Sequence, residues 1–455
     1  MQKANRRVFL KGAAWSAAAW AVPTIIPATA FGANERIAVG CIGVGGMGTG
    51  NMRQFLALDA CRVVAVCDVQ RDRRERAKKL VDEKYGDAGC AMFNDYRELL
   101  ARSDVDAVMI AVQDHWHALV ATAAAKSGKD MYCEKPTGLC VRDGQVMRAA
   151  MRKHQRVFQS GMWQRSKGNF RQGCELALNG HLGKLTEVQV SVPGGKSYQP
   201  KYKGPYEQQP VPEGFDWAMW RGPAPDKPFN PGRVAYPDWY LIHDYCEGWT
   251  TNWGVHNLDI AHWGCPALGR GTCEVTCSGR YYADKGFADN IETWKAVFTY
   301  PDGLRLVFTD TESLPAGTKF IGEKGWVYVD RRNDKIEASA DNLLSRRPAE
   351  GDVRLLPFGH AGDDVRVQTT KNGERTVYRN LDHAEGLLNG LRSRKEPLAG
   401  IDATHTASTL GMVAGIAARL GGTLKWDWGT EQFVGNEDAN KLLVRQMHNG
   451  WKLDV

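Results

Sequence analysis

The 455-residue sequence lacks several features that would assign a protein to a special class. It has no low-complexity tract that would predict disorder, no internal repeat and, beyond residue 30, no run apolar enough to span a bilayer. It also has no basic block: the formal charge is +7, and four of these charges lie in residues 1–30. Nucleic-acid binding is therefore not expected, and the length predicts a globular protein of two domains.

The sequence also lacks the cysteine and histidine spacing of a metal site. Its eleven cysteines are an odd number, and Cys41, Cys67 and Cys133 lie in apolar, strand-like runs where thiols behave as small hydrophobic groups. Cys273 and Cys277 have no histidine or further cysteine nearby at zinc spacing. We therefore predict buried free thiols and no metal site.

Residues 1–30 have the pattern of a targeting segment. Arg6-Arg7 is followed by Phe9-Leu10-Lys11, a short apolar stretch and the small residues Ala28-Thr29-Ala30. This pattern resembles a twin-arginine export signal and predicts a periplasmic protein. The alternative is a membrane anchor, which Pro23 and Pro27 disfavour because they interrupt the apolar stretch.

Residues 34–160 alternate between short apolar runs and helical patterns. Such runs are typical of parallel strands buried on both faces, and we place them at Arg36–Ile42, Cys61–Val66, Ala107–Val112, Asp130–Cys133 and Arg156–Gly161. Helical patterns lie between them. The alternation predicts an α/β domain with a doubly wound parallel sheet of the Rossmann type.

Residues 161–455 have a different character. Period-two strand patterns occur at Lys184–Val192, Cys273–Tyr282, Ile291–Tyr300, Leu304–Thr309 and Trp326–Asp330. They predict a second domain with a mostly antiparallel sheet. Two helices follow near 382–392 and 404–420, and then an irregular tail that we expect to pack back on the first domain.

A glycine-rich motif connects the first strand to the first helix. Gly43 permits a tight turn, Gly45 lets the backbone approach a pyrophosphate, and Gly48 lets the helix pack closely on the strand. The helix N-terminus then offers free N–H groups to phosphates. The motif predicts a dinucleotide site that also includes Gly46 and Met47.

An acidic residue at the end of the second strand bears on the choice of dinucleotide. Asp68 stands twenty residues after Gly48, where a carboxylate accepts hydrogen bonds from the adenine ribose and repels a 2′-phosphate. NAD is therefore favoured. Arg71, Arg73 and Arg74 keep NADP open as the alternative, because an arginine there can bind that phosphate.

Two further motifs carry groups suited to acid–base chemistry. Lys135 follows the fourth strand in Cys133-Glu134-Lys135-Pro136, at the strand end where ligands bind in open α/β sheets, and it can stabilise an alkoxide. A plain loop is the alternative. Asn252, His256 and Asp259 share one face if this segment is helical, so that His256 can serve as a base. A buried structural histidine is the alternative there.

Together these motifs resemble the glucose–fructose oxidoreductase/inositol dehydrogenase/MocA family. The likeness extends to Asp114-His115-Trp116-His117, Gln164-Arg165-Ser166, Trp220-Arg221-Gly222-Pro223 and Gly322-Glu323-Lys324-Gly325-Trp326. The resemblance implies an N-terminal Rossmann domain and a C-terminal α/β domain whose large, mostly antiparallel open sheet serves substrate binding and oligomerisation. It also implies hydride transfer at a carbinol of a sugar or cyclitol, and a homodimer or homotetramer. It implies Lys135 and His256 as catalytic residues, with Glu134, Lys135 and His117 beside the cofactor.

The sequence departs from the family pattern at two places. Asn252 stands where the family has an aspartate, and an amide cannot take a proton as a carboxylate does. Gln113-Asp114 stands where the family has Thr-Pro, on the nicotinamide side of the site. Lys135 and His256 are therefore expected to share the chemistry differently from other family members.

Aromatic residues are abundant around the expected cleft. Tryptophans 163, 217, 220, 239, 249 and 253 are candidates for stacking on a sugar ring, although we expect only one or two to contact a ligand. The predicted substrate-binding residues are Trp163, Arg165, Tyr236, Asp244, Asn252 and His256.

The predicted function is an exported oxidoreductase with tightly bound NAD. The twin-arginine route exports folded proteins to a compartment without free nicotinamide cofactor, so the cofactor must be bound before export. Such an enzyme needs a second substrate to reoxidise the cofactor, or an internal redox cycle that cleaves a glycosidic bond. A non-catalytic sugar-binding protein is the third hypothesis, and only Asn252 supports it.

Overall fold

The computed structural model describes residues 36–282, 286–346, 348–355 and 382–455, together with the backbone of 365–370 and 373–378. The predicted export signal at residues 1–30 lies outside this part of the chain. Among the residues described, no helix has the length and apolarity required to cross a bilayer.

The first sheet has six parallel strands in the order β3-β2-β1-β4-β5-β6. The strands are β1 (Ile37–Ile42), β2 (Cys61–Cys67), β3 (Ala91–Phe93), β4 (Ala107–Ile110), β5 (Asp130–Cys133) and β6 (Phe158–Ser160). The helices among them are α1 (Gly46–Leu56), α2 (Arg71–Tyr85), α3 (Tyr96–Leu100), α4 (His117–Lys126) and α5 (Val141–Lys153). The predicted Rossmann sheet is confirmed. Of these strands, only β3 was not predicted, because three residues are too few to show a pattern of apolar residues.

The strand order reverses between β1 and β4, which lie side by side in the middle of the sheet. Ligands of doubly wound sheets bind at such a switch point, outside the carboxyl ends of the strands. The loops that follow β1, β4 and β5 carry the glycine motif, Asp114 and Lys135. The fold therefore brings three of the predicted motifs to one edge.

The second sheet has nine strands in the order β13-β12-β11-β7-β10-β9-β8-β16-β17. The strands are β7 (Leu185–Val192), β8 (Thr272–Tyr281), β9 (Ile291–Thr299), β10 (Arg305–Asp310), β11 (Gly317–Gly322), β12 (Gly325–Val329), β13 (Ile336–Ala338), β16 (Thr423–Asp427) and β17 (Gln432–Phe433). Only β7 and β10 pair in parallel. The predicted, mostly antiparallel sheet is confirmed. A separate hairpin comprises β14 (Val365–Thr370) and β15 (Gly373–Tyr378).

Helices cover one face of this sheet, and their side chains form the larger core of the chain with Val190, Phe298, Phe308 and Phe320. The remaining helices are α6 (Gly168–Leu178), α7 (Trp217–Arg221), α8 (Pro231–Val234), α9 (Trp249–Asn252), α10 (Gly254–Gly264), α11 (Asp341–Leu344), α12 (His383–Ser393), α13 (Ile401–Leu420) and α14 (Glu437–Lys441). α10 and α13 bury apolar side chains in this core, where Leu258, Ile260, Leu410 and Val413 are all inaccessible to solvent.

The C-terminal segment differs from the irregular tail that we predicted. It forms β16, β17 and α14, because Leu424 and Trp426 alternate with exposed residues and complete the edge of the second sheet. Beyond α14, Trp451 packs edge-to-face on Trp116 with ring centroids 4.7 Å apart. Leu453 and Met447 contact the core beside the first sheet.

Candidate active site

The glycine turn has the geometry that a pyrophosphate requires. Gly43 has φ +79°, and a Cβ on Gly48 would stand 1.9 Å from the Gly43 carbonyl oxygen, so helix α1 crosses β1 at a distance only glycine permits. The N-cap residue Gly45 provides no side-chain cap, so the first amide groups of α1 lack a side-chain acceptor. Gly46 and Met47 begin this helix.

Asp68 is held rigidly at the carboxyl end of β2. Its carboxylate accepts hydrogen bonds from the backbone N–H groups of Val44 and Gln70, both at 2.9 Å. Burial raises the pKa of Asp68, and the positive charge of Arg73 opposes that shift. Asp68 lines a cavity at the end of the sheet, together with Gly43, Val69 and Trp116. The residues around this cavity fit an adenosine group.

The three arginines after Asp68 have different surroundings. Arg74 donates to the Asp68 carbonyl oxygen at 2.8 Å and to Asn94 Oδ1 at 2.9 Å, and Arg71 pairs with exposed Glu213 at 3.3 Å. The Arg73 side chain has no hydrogen bond or ion pair with any residue that the structure describes, and it lies over Gly45. Arg73 is therefore the arginine available to a phosphate.

A segment of the second domain closes the adenosine cavity. This cover segment, residues 214–220, is tied to the first domain by backbone hydrogen bonds from Arg71 to Gly214 at 2.9 Å and from Asp216 to Val69 at 3.0 Å. Trp116 Nε1 donates to the Trp220 carbonyl at 2.9 Å, and Met219 and Trp220 line the cavity. The second domain therefore restricts the exit of a bound adenosine.

Glu134 connects the end of β5 to the glycine helix. Its Oε1 accepts hydrogen bonds from Asn51 Nδ2 of α1 at 2.8 Å and from Tyr132 Oη at 3.2 Å. A Cβ on Gly161 would stand 2.5 Å from this carboxylate, so glycine is needed beside it. Glu134 therefore lies at the end of β5, next to the glycine helix, and its contact with a cofactor stays a prediction.

His117 has a different environment from the one that we predicted. Its Nδ1 lies 2.7 Å from the Pro136 carbonyl oxygen and its Nε2 lies 3.1 Å from that of Val112. Burial lowers the pKa of His117. Since both ring nitrogens contact backbone carbonyls, His117 holds the loops after β4 and β5 together rather than pointing at a ligand.

Lys135, Asn252 and Asp114 form a chain of hydrogen bonds across the two domains. Lys135 Nζ donates to the Asn252 backbone carbonyl at 2.9 Å and approaches its Oδ1 at 3.5 Å. Asn252 Nδ2 donates to the two oxygens of Asp114 at 3.2 and 3.4 Å. The residues at the two departures from the family pattern are therefore in contact. The carboxylate that is missing at position 252 is present at position 114.

His256 is a buried histidine beside Lys135. Neither of its ring nitrogens has a hydrogen-bond partner among the described residues, and Nδ1 is fully buried. Burial holds the pKa of His256 well below its usual range, and the positive charges of Lys135 and Arg331 lower it further. The ring is therefore neutral at neutral pH and able to accept a proton.

Two residues predicted to bind substrate have other partners. Arg165 forms a buried bidentate pair with Asp259, with distances of 2.6 and 2.7 Å, and also donates to the Leu398 carbonyl oxygen at 2.9 Å. Asp259 therefore does not face the site with Asn252 and His256, although the three are spaced for one helical face. Asp244 lines a separate cavity with Glu247 and Arg419. Neither placement favours the predicted role.

Aromatic residues lie on the open side of His256. The ring centroid of Trp253 is 6.0 Å from that of His256, and Arg331 stacks on both Trp253 and Trp163. Tyr236 is 71% exposed and contacts Tyr240 edge-to-face. Of the other tryptophans, Trp217, Trp220 and Trp249 are buried in the cores.

Sequence reasoning missed Asn51, Arg331 and the partnership of Asp114 with Asn252. Asn51 follows the glycine motif on the inner face of α1, and its helical spacing from Gly48 could have indicated it. The sequence could have indicated Asp114, since this residue stands at a departure from the family pattern. No local pattern indicated Arg331, because the charged sequence around it is typical of a surface turn.

Two models of one oxidoreductase family match the sequence. The model of the NAD-binding Rossmann fold matches residues 37–162, and the model of the C-terminal alpha/beta domain matches residues 179–348. Together they cover more than half of the chain and include the cofactor motif, Lys135 and His256.

Individual relatives agree with this match. Myo-inositol 2-dehydrogenase of Thermotoga maritima is 24% identical over 371 residues, 78% of this chain and 95% of that protein. An alpha-N-acetylgalactosaminidase of Shewanella oneidensis is 37% identical over 112 residues, about a quarter of each chain. The structure of an aldose-aldose oxidoreductase of Caulobacter crescentus superposes with a TM-score of 0.60 at 18% identity, covering 86% of this chain and all of that one, and shows the same fold.

Proposed function

Because the chain belongs to the oxidoreductase family that both models describe, named after glucose–fructose oxidoreductase, inositol dehydrogenase and MocA, we propose that it transfers a hydride between a sugar or cyclitol carbinol and tightly bound NAD. The observation that carries the proposal is the contact of Lys135 with the Asn252–Asp114 pair, beside a neutral His256. These groups meet at the strand ends where the nicotinamide of a dinucleotide bound to the glycine turn would lie.

The residues present fit the cofactor and divide the remaining chemistry among themselves. Bound NAD supplies the hydride acceptor, held by the glycine turn, Asp68 and Glu134. Lys135 donates a hydrogen bond to the carbinol oxygen and stabilises negative charge there as the proton leaves. His256 accepts that proton, and the Asp114–Asn252 pair orients Lys135.

Tight retention of the cofactor is part of the proposal, and the cover segment supports it. Residues 214–220 bond to the first domain along the rim of the adenosine cavity, so release of NAD requires several hydrogen bonds to break together. Mass spectrometry of the cofactor released from purified, unsupplemented protein tests this. We expect about one NAD per chain; protein that purifies free of nicotinamide would contradict tight retention.

The catalytic proposal is tested in a single turnover. Sugars and cyclitols are added to the purified holoprotein without free NAD, and reduction of the bound cofactor is followed by its absorbance. We expect reduction by at least one polyol, and a loss of reduction in Lys135→Met. Full oxidation activity in Lys135→Met would overturn the assignment.

Export by the twin-arginine route is a further part of the proposal, and it rests on Arg6-Arg7 in the sequence. Cells expressing the full chain are fractionated, and the Arg6→Lys/Arg7→Lys double variant is compared with the parent protein. We expect the double variant to stay in the cytoplasm. Equal periplasmic amounts of both proteins would exclude this route.

Redox-assisted glycoside cleavage is the second candidate, favoured by the partial similarity to an alpha-N-acetylgalactosaminidase. Oxidation of a carbinol would acidify the neighbouring C–H; loss of that proton would expel the glycosidic oxygen, water would add, and the hydride would return. The cycle needs no net oxidant. Steady cleavage of a glycoside without added NAD or acceptor would support it, whereas net formation of a keto-sugar would support simple oxidation.

A further inference from the structure

Arg331 occupies an unusual position beside the proposed catalytic residues. It follows β12, and its guanidinium carbon lies 4.2 Å from the ring centroid of Trp163 and 4.8 Å from that of Trp253. Trp253 also contacts His256. Arg331 is thus one aromatic ring away from the proposed base.

The guanidinium has aromatic neighbours but no counter-ion. Among the described residues, no carboxylate lies within 4.0 Å of Arg331 and no group accepts a hydrogen bond from it. Its neighbour Asp330 pairs with Arg332 instead, at 3.1 Å. Burial lowers the pKa of Arg331, and the charge of Asp330, which makes no direct contact with the guanidinium, opposes that shift only in part.

The stacking contacts limit what the guanidinium can still bind. Indole rings contact its faces, while its N–H groups point outward in the guanidinium plane. A planar carboxylate can accept two parallel hydrogen bonds from that edge, whereas a neutral hydroxyl can accept only one and brings no charge. A carboxylate is therefore the group that the site lacks.

The charges around the site agree with an anionic ligand. His256 experiences positive charge from both Lys135 and Arg331. Lys167, whose Nζ lies 5.8 Å from the ring centroid of Trp163, does not add to this excess, because it pairs with Asp334 at 2.6 Å. A single negative group on the substrate would offset part of this excess.

We propose that Arg331 binds a carboxylate on the substrate, so that the enzyme acts on acidic sugars, with the carbinol at Lys135 and His256 and the carboxylate between Trp163 and Trp253. The substrate class rests on the proposed oxidoreductase function. The carboxylate subsite itself does not, because binding can be measured without turnover.

Calorimetric titration of the holoprotein tests the subsite, with D-glucuronate and D-galacturonate against D-glucose and D-galactose as probes. We expect at least one uronate to bind about tenfold more tightly than its neutral counterpart. Arg331→Met should remove this preference and leave the affinity for the neutral sugar nearly unchanged, and Arg331→Lys should retain part of it. Arg354→Met, which removes an equal charge at an exposed position away from the subsite, is the control.

Equal affinity for uronates and neutral sugars in the parent protein would overturn the subsite. It would also be overturned if Arg331→Met weakened both ligands equally, since that indicates only a structural role for the stacked arginine. Reduction of bound NAD by neutral sugars alone would contradict the subsite while supporting hydride transfer. Tight uronate binding without any cofactor reduction would support the subsite and contradict the proposed function.

Discussion

The two halves of the active site treat their polar groups in opposite ways. In the cofactor half, Asp68, Glu134 and His117 are each bonded to protein partners at 2.7–3.2 Å. In the substrate half, the buried His256 and the half-buried Arg331 have no hydrogen-bond partners among the described residues. The two carboxylates of the cofactor half therefore have protein partners already, whereas the histidine and the guanidinium of the substrate half have none in the described part of the chain.

This difference indicates how the two halves contribute to function. Groups that already have protein partners fix the position of the strand ends and the cofactor before any substrate arrives. A buried group without a partner destabilises the free protein, and a ligand that satisfies it gains affinity and orientation. Substitutions in the two halves should therefore have separable effects.

The largest expected effect is at Lys135, which stands where the two halves meet. Lys135→Met should slow reduction of bound NAD about 10³-fold, because the alkoxide loses its charged donor. The NAD content should not change, since the adenosine cavity does not include Lys135. Stopped-flow absorbance and cofactor mass spectrometry measure the two quantities, with Lys126→Met on the exposed face of α4 as control.

A loss of NAD in Lys135→Met that matches its loss of activity would contradict the separation of the halves. It would mean that Lys135 belongs to the cofactor half and that its effect on rate is indirect.

The next effect concerns the carboxylate of Asp114. Asp114→Asn should slow hydride transfer about 10²-fold, because the amide no longer balances the charge near Lys135 through Asn252. The double variant Asp114→Asn/Asn252→Asp returns a carboxylate to the helix position and should recover at least tenfold of that loss. Single-turnover rates of the parent and both variants measure this.

Asn252→Asp alone is the matched control. It places two carboxylates 3.2–3.4 Å apart, where their repulsion should impair the enzyme rather than improve it. If the double variant were no faster than Asp114→Asn, a carboxylate at position 252 would not replace the one at position 114.

A smaller effect is expected in the cofactor half at Asp68. Asp68→Ser removes the negative charge that repels a 2′-phosphate, while Arg73 remains free of protein partners in the described structure. The fraction of NADP among the copurified cofactor should rise about tenfold. Mass spectrometry of the released cofactor gives this fraction. Asp68→Ser/Arg73→Ala should reverse the change, and an NADP fraction unaffected by Arg73→Ala would exclude Arg73.

The cofactor half was predictable from sequence and most of the substrate half was not. The glycine turn and Asp68 lie at the strand ends of one βαβ unit, so local spacing fixes their positions. The contact of Asp114 with Asn252 joins residues 138 positions apart, and only the packing of the domains creates it. Arg165 and Arg331 both stack on tryptophans. The residues next to each arginine in the sequence do not show that Arg165 has a buried carboxylate partner, Asp259, whereas Arg331 has none among the described residues.

The smallest expected effect is outside both halves, where a paired carboxylate should influence stability but not catalysis. Glu431, next to β17, accepts hydrogen bonds from Arg148 at 2.8 Å and Gln145 at 2.9 Å and lies 3.1 Å from His405 Nε2. Although burial opposes it, these partners lower the pKa of Glu431 to about 2. Since this folded-state pKa is below that of an unfolded glutamate, the stabilisation is complete above pH 4.5 and is lost as the pH falls towards 2.

Glu431→Gln should therefore lower the free energy of unfolding by about 1 kcal/mol at neutral pH. The difference in thermal midpoint from the parent should shrink below pH 4.5, while exposed Glu75→Gln shows neither effect. A pH-independent difference would mean that packing, rather than charge, connects this edge of the second sheet to α5.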